Sequence, residues 1–169
     1  VCMVRKESQF LKENKIKTII CDLNDNTKLL NNAKHFDVVI HLAGIVNTSS
    51  KIEFYNKNVK ITKNLLDACK KNKIKKFIFI STAVVISPVQ GPYSKSKLEA
   101  EKLVINSGLK YVILRPSLVY GKEDKKNIGG IIKLIKKYPI FPLIGGSNRL
   151  QPIYIGDVIN IMIQSVENK

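Results

Sequence analysis

Tyr93 and Lys97 stand four residues apart, so on a helix their side chains share one face. A lysine ammonium beside a phenol favours the phenolate. To work near neutral pH the phenol must fall by about 3 units from its ordinary value near 10, roughly 4 kcal/mol of differential stabilisation. A tyrosine tuned in this way removes a proton from a hydroxyl or returns one to a carbonyl oxygen. Thr82, with Ser81 as the fallback, offers a hydroxyl that would hold the same substrate oxygen. The spacing alone is weak evidence. Six tyrosines among so many lysines give about one Tyr-x-x-x-Lys by chance, and a tyrosine packed at a helix start beside a solvated lysine is the alternative. The weight falls on placement, because Tyr93 opens the helix that follows the segment ending at Thr82.

Short apolar runs alternate with amphipathic stretches along the chain. Val1–Val4, Lys17–Cys21, Asp37–Leu42, Phe77–Ser81 and Tyr111–Leu114 read as strands. Helices are expected around Gln9–Asn14, from about Glu53 to Asn72 and over Tyr93–Ser107. In the second of these Val59, Thr62, Leu66 and Cys69 recur at helical spacing and define a buried face. The Asp37–Leu42 run is almost continuously apolar, as expected of a strand covered on both faces. Such alternation implies right-handed βαβ crossovers and an α/β fold built on a doubly wound parallel sheet. Beyond Arg115 the pattern changes. Gly121–Gly130 reads as a loop, Ile131–Lys137 as a basic amphipathic helix and Pro139–Gly146 as a segment punctuated by Pro and Gly. Gln151–Ile155 reads as a short strand, with Asp157 expected to N-cap the last helix. The chain is treated as a single partial domain over 1–169, in which 121–169 contributes to the substrate side.

The 169 residues suffice for one hydrophobic core. The net charge of +16 invites a nucleic-acid reading, but 26 of the 29 basic residues are lysines spread over many segments. Grooves for nucleic acid favour arginine interleaved with aromatics, so a solvated lysine-rich surface is the better account, and no nucleic-acid partner is expected. Phe77–Ile86 is the longest apolar run and is too short to span a bilayer. Cys2, Cys21 and Cys69 lack metal or disulfide spacing, consistent with reduced thiols in a cytoplasmic protein. His35 and His41 have no cluster of partners, and no metal site is expected.

A parallel sheet binds ligands at the carboxyl ends of its strands. Those ends carry Asp22-Leu23, Leu42-Ala43-Gly44, Ser81-Thr82 and Arg115-Pro116-Ser117-Leu118-Val119-Tyr120-Gly121. Together with His41, with Asn58-Val59, with Asn64 to Cys69 and with Tyr93-Ser94-Lys95-Ser96-Lys97, they resemble the extended short-chain dehydrogenase/reductases, the NAD-dependent epimerase/dehydratase family. Six motifs in register carry the resemblance over nearly the whole chain. It implies a Rossmann-like NAD(P)-binding fold and an epimerase, dehydratase or reductase acting on a hydroxyl or ketone, with a nucleoside-diphosphate sugar as the leading substrate class.

By this resemblance Tyr93 and Lys97 are catalytic, Thr82 holds the catalytic hydroxyl position, and a bound cationic nicotinamide assists the phenolate. Asp22 would bond the adenine amino group beside Leu23, with capping of the next turn as its other reading. Leu42, Ala43 and Gly44 would line the adenosine and pyrophosphate, Gly44 having a plain turn as its other reading. Lys97 would hold the nicotinamide ribose, Pro116, Ser117 and Val119 would meet the carboxamide, and Asn58 would brace the active-site helix. Arg5 follows a strand at a position where arginine accepts the extra phosphate of NADP. No acid stands at that strand end, and this favours NADP over NAD.

The pattern departs from the family in two places. No G-x-x-G-x-x-G occurs and Val1 falls where the second strand begins. The first strand and glycine loop are therefore expected to be missing, dinucleotide binding to be poor and a sheet edge to be unpaired. The segment Ala83–Pro92 is short for a sugar epimerase. This shortness and the tail motifs Pro142–Gly146 and Arg149–Val158 are similar to atypical members, including relatives of the accessory subunit of respiratory complex I. A noncatalytic dinucleotide-binding subunit is thus the alternative function. Oligomeric state, a homodimer included, stays open.

Overall fold

The computed structural model describes residues 1–124, 128–138, 140 and 151–168. Strand β1 (Cys2–Val4) leads through helix α1 (Gln9–Glu13) to β2 (Thr18–Ile20), which lies parallel to it with Cys2 opposite Thr18. Ser8 caps α1 by accepting a hydrogen bond from the Leu11 amide. Helix α2 (Asn26–Asn32) follows, capped by the Asp25 carboxylate on the Lys28 amide. Strands β3 (Val38–His41), β4 (Lys76–Ile80) and β5 (Tyr111–Leu114) form a parallel ladder in that order. The β3–β4 crossover contains α3 (Lys51–Phe54), a π-helical turn (Tyr55–Lys60) and α4 (Ile61–Lys71). The β4–β5 crossover contains a 3-10 turn (Ala83–Ile86) and α5 (Pro92–Ile105). A third ladder pairs β6 (Leu118–Tyr120) with β7 (Pro152–Tyr154), also parallel, and α6 (Ile128–Lys137) and α7 (Ile155–Glu167) complete the described chain.

The core sits between β4 and the helices α2, α4 and α5. Phe77 and Phe79 on β4 are fully buried and meet Leu65, Leu66 and Cys69 of α4, Ala100 and Val104 of α5, and Leu29 of α2. Val59, Thr62, Leu66 and Cys69 are all buried, as the helical period requires. On the far side α7 packs against β4. The buried Lys76 ammonium donates to the carbonyls of Ser165 (2.9 Å) and Asn168 at the end of α7, where a cation meets the negative end of the helix dipole.

The doubly wound α/β class is confirmed, with every ladder parallel. Among the described residues β1 pairs with β2 and β3 with β4, while β1 and β3 do not pair with each other. One edge of each is left open, in line with the expected unpaired edge. Ile40 on β3 is 40% exposed, so this strand is not covered on both faces as its apolar run implied.

Other differences are local. Helix α2 escaped the sequence reading because Asn26–Asn32 is largely polar, with Leu29 its one buried residue. Strand β6 was hidden inside the motif after Arg115. The crossover helix begins at Lys51 rather than Glu53, where Ser50 caps it through the Glu53 amide. Asp157 does not N-cap the last helix. Tyr154 occupies that position with no side-chain bond, and Asp157 lies in the first turn, where its charge still suits the helix dipole. Helix α6 starts at Ile128, inside the expected Gly121–Gly130 loop. The Pro139–Gly146 segment and the Arg149–Leu150 part of the tail motif lie outside the described residues, Ile140 excepted.

Phe77→Ala should lower stability by about 3–5 kcal/mol, the usual cost of emptying a fully buried aromatic site. Urea unfolding followed by circular dichroism checks this, and a loss under 1 kcal/mol would contradict the placement of the core.

Candidate functional site

Three strand ends and one helix start converge at the carboxyl edge of the β3–β4–β5 ladder. Pro92 occupies the first turn of α5 directly after Gly91, where its fixed φ and missing amide suit a helix start. This puts Tyr93 in the first turn and Lys97 one turn further on. Thr82 leaves β4 in an extended conformation and caps the 3-10 turn by accepting from the Val84 amide. Its hydroxyl lies close enough to the Tyr93 phenol to pull the phenol's pKa down. Thr82, Tyr93 and Lys97 are therefore brought together. The Ser81 hydroxyl instead faces the buried Glu101 carboxylate in the interior, because neighbouring residues of an extended segment point to opposite sides.

Lys97 is buried, and its ammonium donates to the Ile80 carbonyl at 2.7 Å while lying 4.1 Å over the Phe79 ring. Burial brings its pKa down to about 8, partly opposed by the Glu101 charge. The Tyr93 phenol moves the other way. Burial raises it, and the nearby Thr82 hydroxyl only partly offsets this. The expectation that Lys97 draws the phenol down is thus not met in this arrangement. The ammonium is engaged at the tip of β4, and desolvation dominates at the phenol.

The π-helical turn inserts an extra residue per turn where the crossover passes behind the site. It buries Asn58 and Val59 together. The Asn58 carboxamide accepts from the Ile45 amide (2.8 Å) and donates to the Ile45 carbonyl (3.0 Å) and to Ser96 Oγ (2.9 Å). Ser96 in turn donates to the Tyr93 carbonyl at 2.7 Å. Asn58 therefore joins the loop after β3 to the helix that carries Tyr93. A Cβ at Gly44 would lie 2.8 Å from Asn58 Oδ1, so this glycine is required by a close approach and not only by a turn. Behind it the Thr62 hydroxyl gives its proton to the Asn58 carbonyl (2.6 Å), and His41 Nε2 must then donate to Thr62 at 2.9 Å. Burial, followed by the Lys97 charge, pushes His41 down to about 3, so the ring is neutral.

A cleft of about 270 Å3 opens where the ends of β1, β2 and β3 approach, lined among others by Arg5, Asp22, Leu23, Ala43, Gly44 and Lys57. Five of the residues expected at a dinucleotide thus line one cavity. Asp22 Oδ1 accepts from the Asn24 amide (2.9 Å) and from Asn24 Nδ2 (3.0 Å), so the turn-capping role is realised alongside its place in the wall. These bonds lower its pKa, with smaller help from Lys57 and Arg5. Leu42, Pro116, Ser117 and Val119 lie outside this cleft. Leu42 is 65% exposed, the Pro116 carbonyl accepts from the Ala83 amide (2.9 Å) next to Thr82, and the Ser117 hydroxyl bonds the Gln151 carbonyl. Val119 sits in β6 opposite Ile153. Two further parts were missed in the sequence, the π turn and a Glu101–Arg115 ion pair. The spacing of Lys97 and Glu101, one helical turn apart, was the available signal for the second.

Parallel ladders alternating with helices, and a cleft at the carboxyl ends of the strands, define a Rossmann-like doubly wound fold. The NAD dependent epimerase/dehydratase family matches residues 1–169, and the chain belongs to it. An N-acetyl-alpha-D-glucosaminyl-diphospho-ditrans,octacis-undecaprenol 4-epimerase of Escherichia coli O157:H7 is 26% identical over 184 aligned positions, covering 97% of this chain and 55% of that protein. Subunit 9 of the mitochondrial NADH dehydrogenase [ubiquinone] 1 alpha subcomplex from Dictyostelium discoideum is 25% identical, covering 86% of this chain and 40% of the relative. Among solved structures, UDP-glucuronic acid 4-epimerase from Bacillus cereus in complex with NAD superposes with a TM-score of 0.79 at 27% identity, covering 94% of this chain and 60% of that one. The chain thus spans about half the length of these relatives.

Lys97→Met should make the protein more stable at neutral pH. The folded-state pKa near 8 lies below the ordinary 10.5, so the cost of the buried charge is fully present below about pH 8. It fades as pH rises towards 10.5. The variant should gain about 1–3 kcal/mol at pH 7 and lose that advantage by pH 10.5. Chemical denaturation at both pH values checks this; equal stabilities at pH 7 would contradict a buried ammonium.

Proposed function

We propose that the full-length protein is an NAD(P)-dependent epimerase, dehydratase or reductase acting at a hydroxyl or ketone, with a nucleoside-diphosphate sugar as its substrate class. The observation that carries this reading is the meeting of Thr82, Tyr93 and Lys97 at one sheet edge, beside a cleft lined by Arg5, Asp22, Leu23, Ala43 and Gly44. The similarity to UDP-glucuronic acid 4-epimerase supports the substrate class. Residues 121–169 complete the substrate side in this account.

The residues present fit a dinucleotide. Gly44 lets the loop backbone press against Asn58 while it lines the cleft with Ala43 and Ile45, as a close backbone approach to a ligand requires. Asp22 and Leu23 would take the adenine end, Ala43 and Gly44 the adenosine and pyrophosphate, Lys97 the nicotinamide ribose, and the Pro116–Val119 backbone the carboxamide. When bound, the nicotinamide supplies hydride transfer and, in its oxidised form, a positive ring. Thr82 Oγ1 would hold the substrate oxygen. Tyr93 would accept the hydroxyl proton as the substrate is oxidised and return one on reduction. Burial keeps the phenol protonated in the free protein, so its ionisation depends on positive charge gathered in the closed site. Coupling of that kind restricts proton transfer to the loaded complex.

Arg5 lies in the cleft wall, and we take it to favour the additional phosphate of NADP. Arg5→Ala should then weaken NADPH binding about tenfold, near 1.4 kcal/mol, with NADH little changed. Titration of the full-length protein by nucleotide fluorescence distinguishes this from plain NAD dependence, in which both nucleotides respond alike.

A second reading, a noncatalytic dinucleotide-binding subunit, is favoured by the likeness to the mitochondrial NADH dehydrogenase subunit. Tyr93→Phe separates the two. In an enzyme it should lower kcat by about 10²–10⁴-fold with dinucleotide affinity intact. Turnover unaffected by this change, or absent from the unmodified full-length protein with a panel of nucleotide sugars, would refute the catalytic proposal.

A further inference from the structure

One buried charge is not used by the chemistry above. Glu101 lies one helical turn beyond Lys97 on α5, and its side chain is 1% exposed. Arg115, at the exit of β5, grips both carboxylate oxygens, Nε to Oε1 at 2.9 Å and Nη2 to Oε2 at 2.7 Å. The arginine side chain itself is 42% exposed, so the pair spans from the interior to the rim. Burying a carboxylate in this way is costly and is a weak source of stability by itself. Its surroundings point to another purpose. Lys97 makes its hydrogen bond to a neutral carbonyl, that of Ile80, and forms none of the described salt bridges.

The groups facing Lys97 are few. Among the described residues they are Phe79 and Ile80 of β4, the neutral His41 at the end of β3, and Glu101 on its own helix, with Arg115 behind Glu101. Glu101 is the one negative charge among them.

We infer that Glu101, held in place by Arg115, is a positioning residue: the buried counter-charge that keeps Lys97 protonated beneath the Tyr93 site. Arg115 also locks the β5 exit, which leads into the Pro116–Val119 segment, against the helix carrying Tyr93 and Lys97. Burial of Lys97 and the Glu101 charge act in opposite directions on its protonation. Burial is the larger of the two, and the Glu101 charge offsets part of it. The consequence for turnover rests on the catalytic reading given above, whereas the titration of Lys97 does not.

The test is the Lys97 midpoint in the full-length protein, followed by NMR on labelled lysine and assigned through loss of the signal in Lys97→Met. Glu101→Gln should move the midpoint down by about one unit or more, and Glu101→Asp should restore part of the shift. If Glu101→Gln fails to fold because Arg115 loses its partner, the double variant Glu101→Gln/Arg115→Gln serves, since it removes the counter-charge without stranding the guanidinium. A midpoint unchanged in whichever of these variants folds overturns the inference. With nucleotide sugar as substrate, the basic limb of the kcat profile should shift down in parallel, and Glu101→Asp should move it back. A purely structural pair would lower activity at every pH without moving that limb, and this result also overturns the inference. Intact turnover in Tyr93→Phe would instead sink the catalytic reading and leave the Lys97 titration to decide the present point.

Discussion

A lysine ammonium enclosed between a strand tip and a helix imposes conditions on everything around it. Lys97 cannot be solvated where it sits, so the protein supplies the Ile80 carbonyl, the face of Phe79 and the charge of Glu101 in place of water. Each partner comes from a fixed element, β4 for the first two and α5 for the last. None can move without leaving a buried charge exposed to an apolar interior. Helix α5 is therefore held to β4 in one register, and that register puts Tyr93 beside Thr82. The geometry of the candidate site follows from how a charge is accommodated in the core.

The second constraint is a close approach of backbone to side chain. The loop after β3 must bring Gly44 and Ile45 against Asn58, and the carboxamide takes both the amide and the carbonyl of Ile45 while reaching Ser96. The π turn buries Asn58 and Val59 next to each other at the start of this buried face. The neutral His41 and the Thr62 hydroxyl complete this network from beneath. The cleft wall and the Tyr93 helix are thereby parts of one hydrogen-bonded unit. A ligand in the cleft at Gly44 would be felt at the start of α5 through bonds of 2.7 to 3.0 Å.

Much of the fold was legible because a parallel α/β architecture writes itself as apolar runs alternating with helical periods. The five strands read from Val1–Val4 to Tyr111–Leu114 appear within a residue or two of their places, and the stripe from Val59 to Cys69 is buried as its spacing demands. Helix α2 and strand β6 were not legible. The first is too polar to show a period, and the second is three residues long and embedded in a loop motif. The position of Asp157 failed for a different reason. Capping preference identifies a helix start only to within a turn, and β7 runs into α7 through Tyr154 without a polar cap.

By itself the sequence determined the class of fold, the family and the identity of the residues at the strand ends, since these depend on residue type and order along the chain. Which of those residues meet was decided only in three dimensions. Thr82 turns toward Tyr93 while Ser81 turns inward to Glu101, an alternation whose phase depends on the seating of β4 in the core. Lys97 bonds the end of β4, and burial raises the phenol that composition suggested it would lower. The Glu101–Arg115 pair and the Asn58 clamp join residues 14 and 38 positions apart in the chain. Such pairings depend on how helices settle against a sheet, and desolvation, the largest cause of the shifts at His41, Tyr93 and Lys97, does not exist until they have done so.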